Sequence, residues 1–314
     1  MTLRHEHYGS PADYWQARAF IRELFAHGDR LSGNWHVGEF DYWRWHWLET
    51  VVERPPEELS LWREEDGRIM AVLNQGDPGV CHLHVHPEVR TSAFLHEMAD
   101  VAERECSAVL EGGRRVLWVW TIEGDSLLPS VLAERGFEMQ PEGGHSVEHN
   151  GRRSLAGIIP SVPIRDGFTI RSMHEPEELS KRSLASWRAF HPGEPDEGCD
   201  LTGAWYRNVQ RAPLYRRDLD VVAVAPNGDI ASFAVCYFDD VSQTGVFVLD
   251  GTAIEYQRMG LGKAVMTEAL RRLKWLGAHT AYVSWYEAPA GALYRSVGFL
   301  DERVGRVWVK RFPG

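Results

Sequence analysis

Thr244-Gly245-Val246-Phe247-Val248-Leu249-Asp250-Gly251-Thr252, followed after a short connection by Gln257-Arg258-Met259-Gly260-Leu261-Gly262-Lys263, is the stretch whose reading decides the fold. Val246 to Thr252 is rich in aromatic and β-branched residues and reads as a strand. The second part is a glycine-spaced turn. Behind it Leu261, Ala264, Val265, Ala269, Leu270, Leu273 and Leu276 recur at helical spacing, and Gly277 stands where that helix would stop. A strand, a glycine turn and a helix start together make an anion seat. The first backbone N–H groups of a helix lack intrahelical partners, and the helix dipole adds partial positive charge there. The spacing matches neither Gly-x-x-x-x-Gly-Lys-Ser/Thr nor Gly-x-Gly-x-x-Gly, which sets aside the two common phosphate motifs.

Gln/Arg-x-x-Gly-x-Gly after such a strand, with Leu293-Tyr294-Arg295-Ser296-Val297-Gly298-Phe299 further on, resembles the GNAT superfamily of acyl-CoA-dependent N-acetyltransferases. The resemblance implies acetyl-CoA as co-substrate. It implies that the pyrophosphate sits on Gln257, Arg258, Met259, Gly260, Leu261, Gly262 and Lys263. The pantetheine arm would run along the backbone of Leu249, Asp250, Gly251 and Thr252. Tyr294 matches the family tyrosine beside the sulfur, and Glu287 stands where the family often has an asparagine near the coenzyme.

Composition sets outer bounds. A chain of 314 residues suggests two domains of ordinary size, and 44% hydrophobic with 25% charged residues belongs to the globular class. A formal net charge of −11 argues against nucleic acid or an anionic membrane as partner. The start, Met1 to Tyr8, has no apolar core of a signal peptide, and no apolar run approaches a membrane span, so a cytoplasmic protein is expected. Cys81, Cys106, Cys199 and Cys236 are scattered without metal-type spacing and read as reduced thiols.

Along the chain the order of elements recurs. Asp13 to Phe25 reads as a helix, and Phe40-Asp41-Tyr42-Trp43-Arg44-Trp45-His46-Trp47-Leu48 as an aromatic helix, packed on two sides or walling a ligand pocket. Pro55-Pro56 breaks it. Leu59 to Leu73 reads as a hairpin turning at Asp66-Gly67, and Val80 to His86 as a strand with His82, His84 and His86 on one face. Three such histidines can ligate a metal, but they more often line a half-exposed edge, so no metal is expected. A helix over Ser92–Glu105, a strand over Arg114–Thr121 and a helix ending at Arg135-Gly136-Phe137 follow. The second half repeats this with a hairpin at Asn227-Gly228, a strand over Ala281–Trp285 and a helix ending at Val297-Gly298-Phe299. The two pairs of glycines are offset by 161 and 162 residues, which points to a duplicated domain. The Pro-rich stretch Ile159 to Pro163 places the join near residue 160, with domains over 1–160 and 161–314.

The halves differ. Where the second has Gln-Arg-Met-Gly-Leu-Gly, the first has Arg90-Thr91-Ser92-Ala93-Phe94-Leu95, and Leu132 falls at the place of Tyr294. Side chains at both glycine positions keep a pyrophosphate from the backbone. The chain thus resembles tandem α/β members of the family, such as the mycothiol synthases, in pairing a degenerate first GNAT-like domain with an active second one. Tandem relatives carry Glu-Pro-Val-Gly-Thr where this chain has Val248-Leu249-Asp250-Gly251-Thr252. The family glutamate is therefore replaced by Val248, with Asp250 on the same face if the strand is regular.

Transfer to an amine needs a proton acceptor for the amine and a proton donor for the thiolate. Tyr294, protonated at neutral pH, is the candidate acid and Asp250 the candidate base, with Asp250 as amine binder the alternative. Glu194, Asp196 and Glu197 lie in a loop that in the family covers the acceptor, and their carboxylates suit a cationic amine. The expectation is an N-acetyltransferase of a small polar amine, monomeric or homodimeric. The alternatives are a non-catalytic CoA-binding protein and an O-acyltransferase.

Overall fold

The computed structural model describes residues 3–53, 59–110, 112–174 and 176–313. Met1, Pro55 and Pro56 lie outside the described residues. The chain divides into two compact units, one of residues 1–150 with 302–314, the other of residues 151–301.

In the first unit β1 (Arg4–His7) leads into α1 (Pro11–His27) and α2 (Val37–Tyr42), then β2 (Leu59–Arg63), β3 (Ile69–Gln75) and β4 (Val80–Val85). Next come α3 (Ser92–Glu105), β5 (Ala108–Val109), β6 (Arg115–Ile122), α4 (Leu127–Glu134) and β7 (Glu138–Met139). Strands β1 to β4 pair antiparallel in sequence order, and β4 pairs parallel with β6. Strand β8 (Val147–Ser154) carries the chain from the first unit into the second.

The second unit has the same order. It runs β9 (Thr169–Ser172), α5 (Leu179–Phe190), α6 (Ala204–Arg211), β10 (Asp220–Val224), β11 (Ile230–Asp239), β12 (Thr244–Thr252), α7 (Leu261–Trp275), β13 (Thr280–Trp285) and α8 (Ala288–Ser296). Strands β9 to β12 are antiparallel and β12 pairs parallel with β13. The last strand, β14 (Asp301–Arg311), belongs to the first unit for nearly all its length. It pairs antiparallel with β6 from Gly305–Ile122 to Arg311–Val116. Each unit is thus a mixed α/β sheet in which one pair of parallel neighbours is joined by a crossover helix.

The period-3.6 residues of α7 do as their spacing requires. Leu261, Ala264, Val265, Ala269, Leu270 and Leu273 are buried in one core with Ala234, Val283, Tyr294 and Phe299. Asp66-Gly67 and Asn227-Gly228 both turn hairpins, with Gly67 and Gly228 at φ +90° and +85°.

Two sequence readings change. The aromatic segment is α2 running into a π-helical turn over Trp43–Val51, in which the amide of Val52 reaches the carbonyl of Trp47. Phe40, Trp43 and Leu48 are buried with Tyr14, Phe20 and Leu24, and the Trp43 indole donates to the Gln75 carbonyl at 2.7 Å. These residues are core of the first unit. The three histidines do not line an exposed edge: His84 and His86 are buried and His82 is half-buried. His82 and His84 pack against Trp35, with ring centroids 4.5 and 5.1 Å away. His86 faces His27. His84 is buried and bonded through Nε2 to Asn74 at 2.9 Å, and burial pushes its imidazole down to about 3, so it stays neutral.

Candidate active site

The site in the second unit begins where two parallel strands part. The ladder between β12 and β13 runs for three pairs, Thr244–Thr280 to Val246–Tyr282. On the other side of β12 the register slips. Val235 faces Leu249 and Cys236 faces Phe247, which leaves Val248 without an opposite number. Val248 is a β-bulge, and a bulge re-aims the residues beyond it. The regular alternation that would put Asp250 on the face of Val248 is therefore broken, and Asp250 reaches its place by this kink.

Tyr294, buried at 6% exposure, donates its phenol to Asp250, with Oδ2 at 2.9 Å and Oδ1 at 3.2 Å. Helix α8 presents Tyr294 between Trp285 (ring centroids 5.4 Å apart) and Phe299 (6.3 Å). Asp250 is half-buried. Burial pushes its carboxyl up to about 6, against the hydrogen bond from Tyr294, which by itself holds it down. Tyr294 is pushed well above its ordinary value, by burial first and then by the Asp250 charge. Near neutral pH the pair is thus a carboxylate close to its titration point, hydrogen-bonded to a protonated phenol. One member can take a proton and the other can give one.

The strand end is braced. Ser232 Oγ donates to the Gly251 carbonyl at 2.8 Å and lies 2.8 Å from Thr252 Oγ1. Gln257 Nε2 donates to the Thr252 carbonyl at 3.3 Å, folding the turn back on the strand. Arg258 takes φ +62° without being glycine, a conformation that costs about 1–2 kcal/mol for an L residue. Gly260 follows at φ +80° as N-cap of α7 and offers no side chain to cap it. The orphan N–H groups of the first turn therefore have no internal acceptor from the cap.

The two glycines serve different ends. A Cβ on Gly260 would meet nothing within 4 Å, so that side of the turn is open. A Cβ on Gly262 would lie 3.2 Å from both Leu293 and Thr252 Oγ1, so this glycine lets α7 pack against α8 and the strand end. Met259 packs on the core, whereas Lys263, in the first turn of α7, is exposed. Glu287 is the exposed N-cap of α8 and its side chain caps nothing.

The acidic loop is partly spoken for. Arg188 donates to both oxygens of Asp196, at 3.0 and 2.5 Å, and to Glu255 at 2.5 Å. That bidentate contact holds the Asp196 carboxyl below its usual range. It also ties the loop to the entrance of the glycine turn. Trp187 stacks on His191 and donates its indole N–H to the Pro195 carbonyl. Glu194 and Glu197 remain exposed. Sequence reading passed over Arg188, Ser232 and Trp285. Of these, only Ser232 leaves a trace, as the one serine in the largely apolar run Ile230 to Phe238.

In the first unit the corresponding turn is closed. Thr91 is N-cap of α3, and its Oγ1 accepts the amide of Phe94 at 3.2 Å. Matched at their helix starts, Thr91 stands where α7 has Gly260 and Ala93 where it has Gly262, so the register read from the sequence, with Ala93 and Leu95 at the glycine positions, shifts by two residues; Leu95 and Leu132 are core.

Residues 184–299 match the family model described as the acetyltransferase (GNAT) family. The chain is similar to a protein named mycothiol acetyltransferase from Arthrobacter sp. (strain FB24). They are 28% identical over 281 residues, covering 80% of this chain and 77% of the other. A namesake from Paenarthrobacter aurescens (strain TC1) is 25% identical over 283 residues, covering 81% and 77%. Among solved structures, a tandem GNAT protein from the clavulanic acid biosynthesis pathway aligns over the whole of both chains, with a TM-score of 0.66 at 13% identity. A GCN5-related N-acetyltransferase from Sphaerobacter thermophilus covers 99% of this chain and 96% of its own, with a TM-score of 0.65 at 15% identity. At such identities these two speak for the fold.

Proposed function

We propose, from a chain that carries a GNAT acetyltransferase domain and is therefore an acyltransferase, that its second unit moves an acetyl group from acetyl-CoA directly to the nitrogen of a small polar amine. The observation that carries this reading is the Tyr294–Asp250 hydrogen bond at 2.9 Å, in the unit whose α7 begins uncapped. The open turn at Gly260 and the first amides of α7 hold the pyrophosphate, by unpaired N–H groups and the helix dipole. Backbone N–H groups freed at the Val248 bulge are the donors for charge developing on the thioester oxygen.

The proton path is then balanced. Asp250 takes the proton the amine loses as its C–N bond forms. Tyr294 gives its proton to the sulfur as the C–S bond breaks, and recovers one from Asp250 through the hydrogen bond between them. Amine and acetyl thioester become amide and free thiol, with no metal called for. The carboxylate near 6 suits a base working at neutral pH. Asp196 is already neutralised by Arg188, so recognition of a second cationic group on the acceptor falls to Glu194 and Glu197. The acceptor is a small molecule rather than nucleic acid, in keeping with the net charge of −11. Among the described residues no helix is long and apolar enough to cross a membrane.

The test is acetyl-CoA-dependent thiol release across a panel of mono- and polyamines, amino sugars, amino acids and, as controls, alcohols. Turnover with amines alone supports the reading. Turnover with alcohols makes the chain an O-acyltransferase, and tight acetyl-CoA binding without thiol release for any acceptor makes it a binding protein.

A further inference from the structure

Away from the acetyl-transfer site, β1 brings two histidines together at the outer edge of the first unit's sheet. His5 and His7 are two residues apart and so share one strand face. In the β1–β2 ladder they lie opposite Trp62 and Ser60. Glu105, the last residue of α3, reaches the same face, with Oε2 3.7 Å from His7 Nδ1. One ligand atom from each of His5, His7 and Glu105 lies within 4.8 Å of the other two, and among the described residues this is the group of metal-ligating side chains so placed.

Three further observations mark this as more than a chance meeting of surface groups. The Nε2 of His5 is shut off from water and has no hydrogen-bond partner. Such a nitrogen is costly to bury unless something accepts its bond or its lone pair. The His5 ring is held in place, stacked on Trp62 with centroids 4.7 Å apart and planes at 30°, and Trp62 is itself tied to Glu97 through its indole N–H at 2.9 Å. Glu105 is steered from below by Ser60, whose hydroxyl donates to Oε2 at 3.2 Å. A ligand carboxylate that is itself hydrogen-bonded, beside an imidazole fixed by packing, is how metal ligands are usually oriented.

We propose that His5, His7 and Glu105 bind one divalent transition-metal ion of the zinc type, which clips the edge strand β1 to the end of α3. Two imidazole nitrogens and one carboxylate oxygen are the donor set of zinc, cobalt, nickel or copper. Magnesium and calcium prefer oxygen alone. A tetrahedral ion with bonds of about 2.0–2.1 Å wants donors roughly 3.3 Å apart. Closing the triangle therefore takes a small rotation of His7 and Glu105, both of them on the surface, while His5 stays against Trp62. Arg104, which donates to Glu105 Oε1 at 2.7 Å, opposes the ion and must swing away. Three protein ligands leave a position for water. The benefit is mechanical: β1 is four residues long and lies at the end of the sheet, where strands fray and pair wrongly.

The experiment uses the full chain without an affinity tag, stripped with chelator and titrated with Zn²⁺ by calorimetry, with Co²⁺ absorption as a readout of geometry. One ion per chain, a tetrahedral Co²⁺ spectrum and a rise in melting temperature with Zn²⁺ are expected. His7→Ala and Glu105→Gln should each weaken binding by about 10- to 100-fold. His7 has 63% of its side chain exposed, so its loss leaves the fold intact. His5→Ala, which also removes the stacking on Trp62, should abolish Co²⁺ tetrahedral absorption. His96→Ala, on α3 outside the cluster, should change nothing. Wild-type affinity in the His5→Ala/His7→Ala double variant, or no stoichiometric Zn²⁺ binding by the wild type, would overturn the proposal. Acetyl transfer by the second unit does not enter the result.

Discussion

The two units pose one problem and solve it differently. Each has a strand, a turn and a crossover helix leading to a parallel neighbour, and each must satisfy the orphan amides at that helix's start. In the first unit α3 does so internally, through Thr91 Oγ1 and the amide of Phe94. In the second, α7 starts at Gly260 without a side-chain cap. A bulge at Val248 kinks β12, whereas the β3–β4 ladder runs from Ala71–Val85 to Gln75–Cys81 without a slip. The buried phenol of Tyr294 has its counterpart in the apolar Leu132. At this helix start the second unit has no side-chain cap and the first has one. A stable helix start and an anion seat are alternative uses of the same amides.

The largest expected effect tests the seat itself. Gly260→Val adds a β-branched side chain at φ +80°, pointing into the open side of the turn. Acetyl-CoA binding measured by calorimetry should be lost while circular dichroism of the folded chain is unchanged. The wild type should show one site per chain, and two sites of similar affinity would erase the contrast between the units.

Tyr294→Phe should come next, lowering turnover about 10²–10⁴-fold with acetyl-CoA affinity nearly unchanged. It also removes the hydrogen bond that holds the Asp250 carboxyl down, so the acidic limb of the pH–rate profile should move to higher pH. Unchanged turnover and an unmoved limb would make Tyr294 a packing residue like Leu132.

Asp250→Asn should cost about 10²-fold, and the cost should depend on pH. Below about 6 the wild-type carboxyl is itself protonated, so the two enzymes converge. Between that point and the amine's own pKa the wild type gains a base the variant lacks, and the ratio is greatest. Above the amine's pKa the acceptor is already neutral and the ratio falls again. A loss that is flat with pH removes Asp250 as base.

The smallest effect sharpens the comparison from the other side. Thr91→Ala should destabilise the chain by about 1 kcal/mol in thermal or denaturant unfolding, the usual worth of an N-cap. Uncapping α3 frees one amide but leaves Ala93 where α7 has Gly262, so a second acetyl-CoA site should not appear in calorimetry.

Much of this was legible in one dimension. The burial of α7 follows from the period of Leu261, Val265, Leu270 and Leu273, and both hairpins from their glycine turns, because these features depend on neighbours in the chain. Tyr294 and the glycine turn could be read for the same reason. Other features came from contacts across the fold. Arg188 finds Glu255 from 67 residues away, and Tyr294 finds Asp250 from 44. The bulge at Val248 exists only relative to a partner strand, and no residue type announces it. The histidines at 82 and 84 look like a half-exposed edge until Trp35, far off in the sequence, is laid against them. Strand β14 leaves its own half of the sequence to pair with β6, a pairing that no local spacing reports. Local spacing determined which elements form. Desolvation and the pairing of distant polar groups, which exist only once the chain has closed, decided which side chains meet at the candidate site.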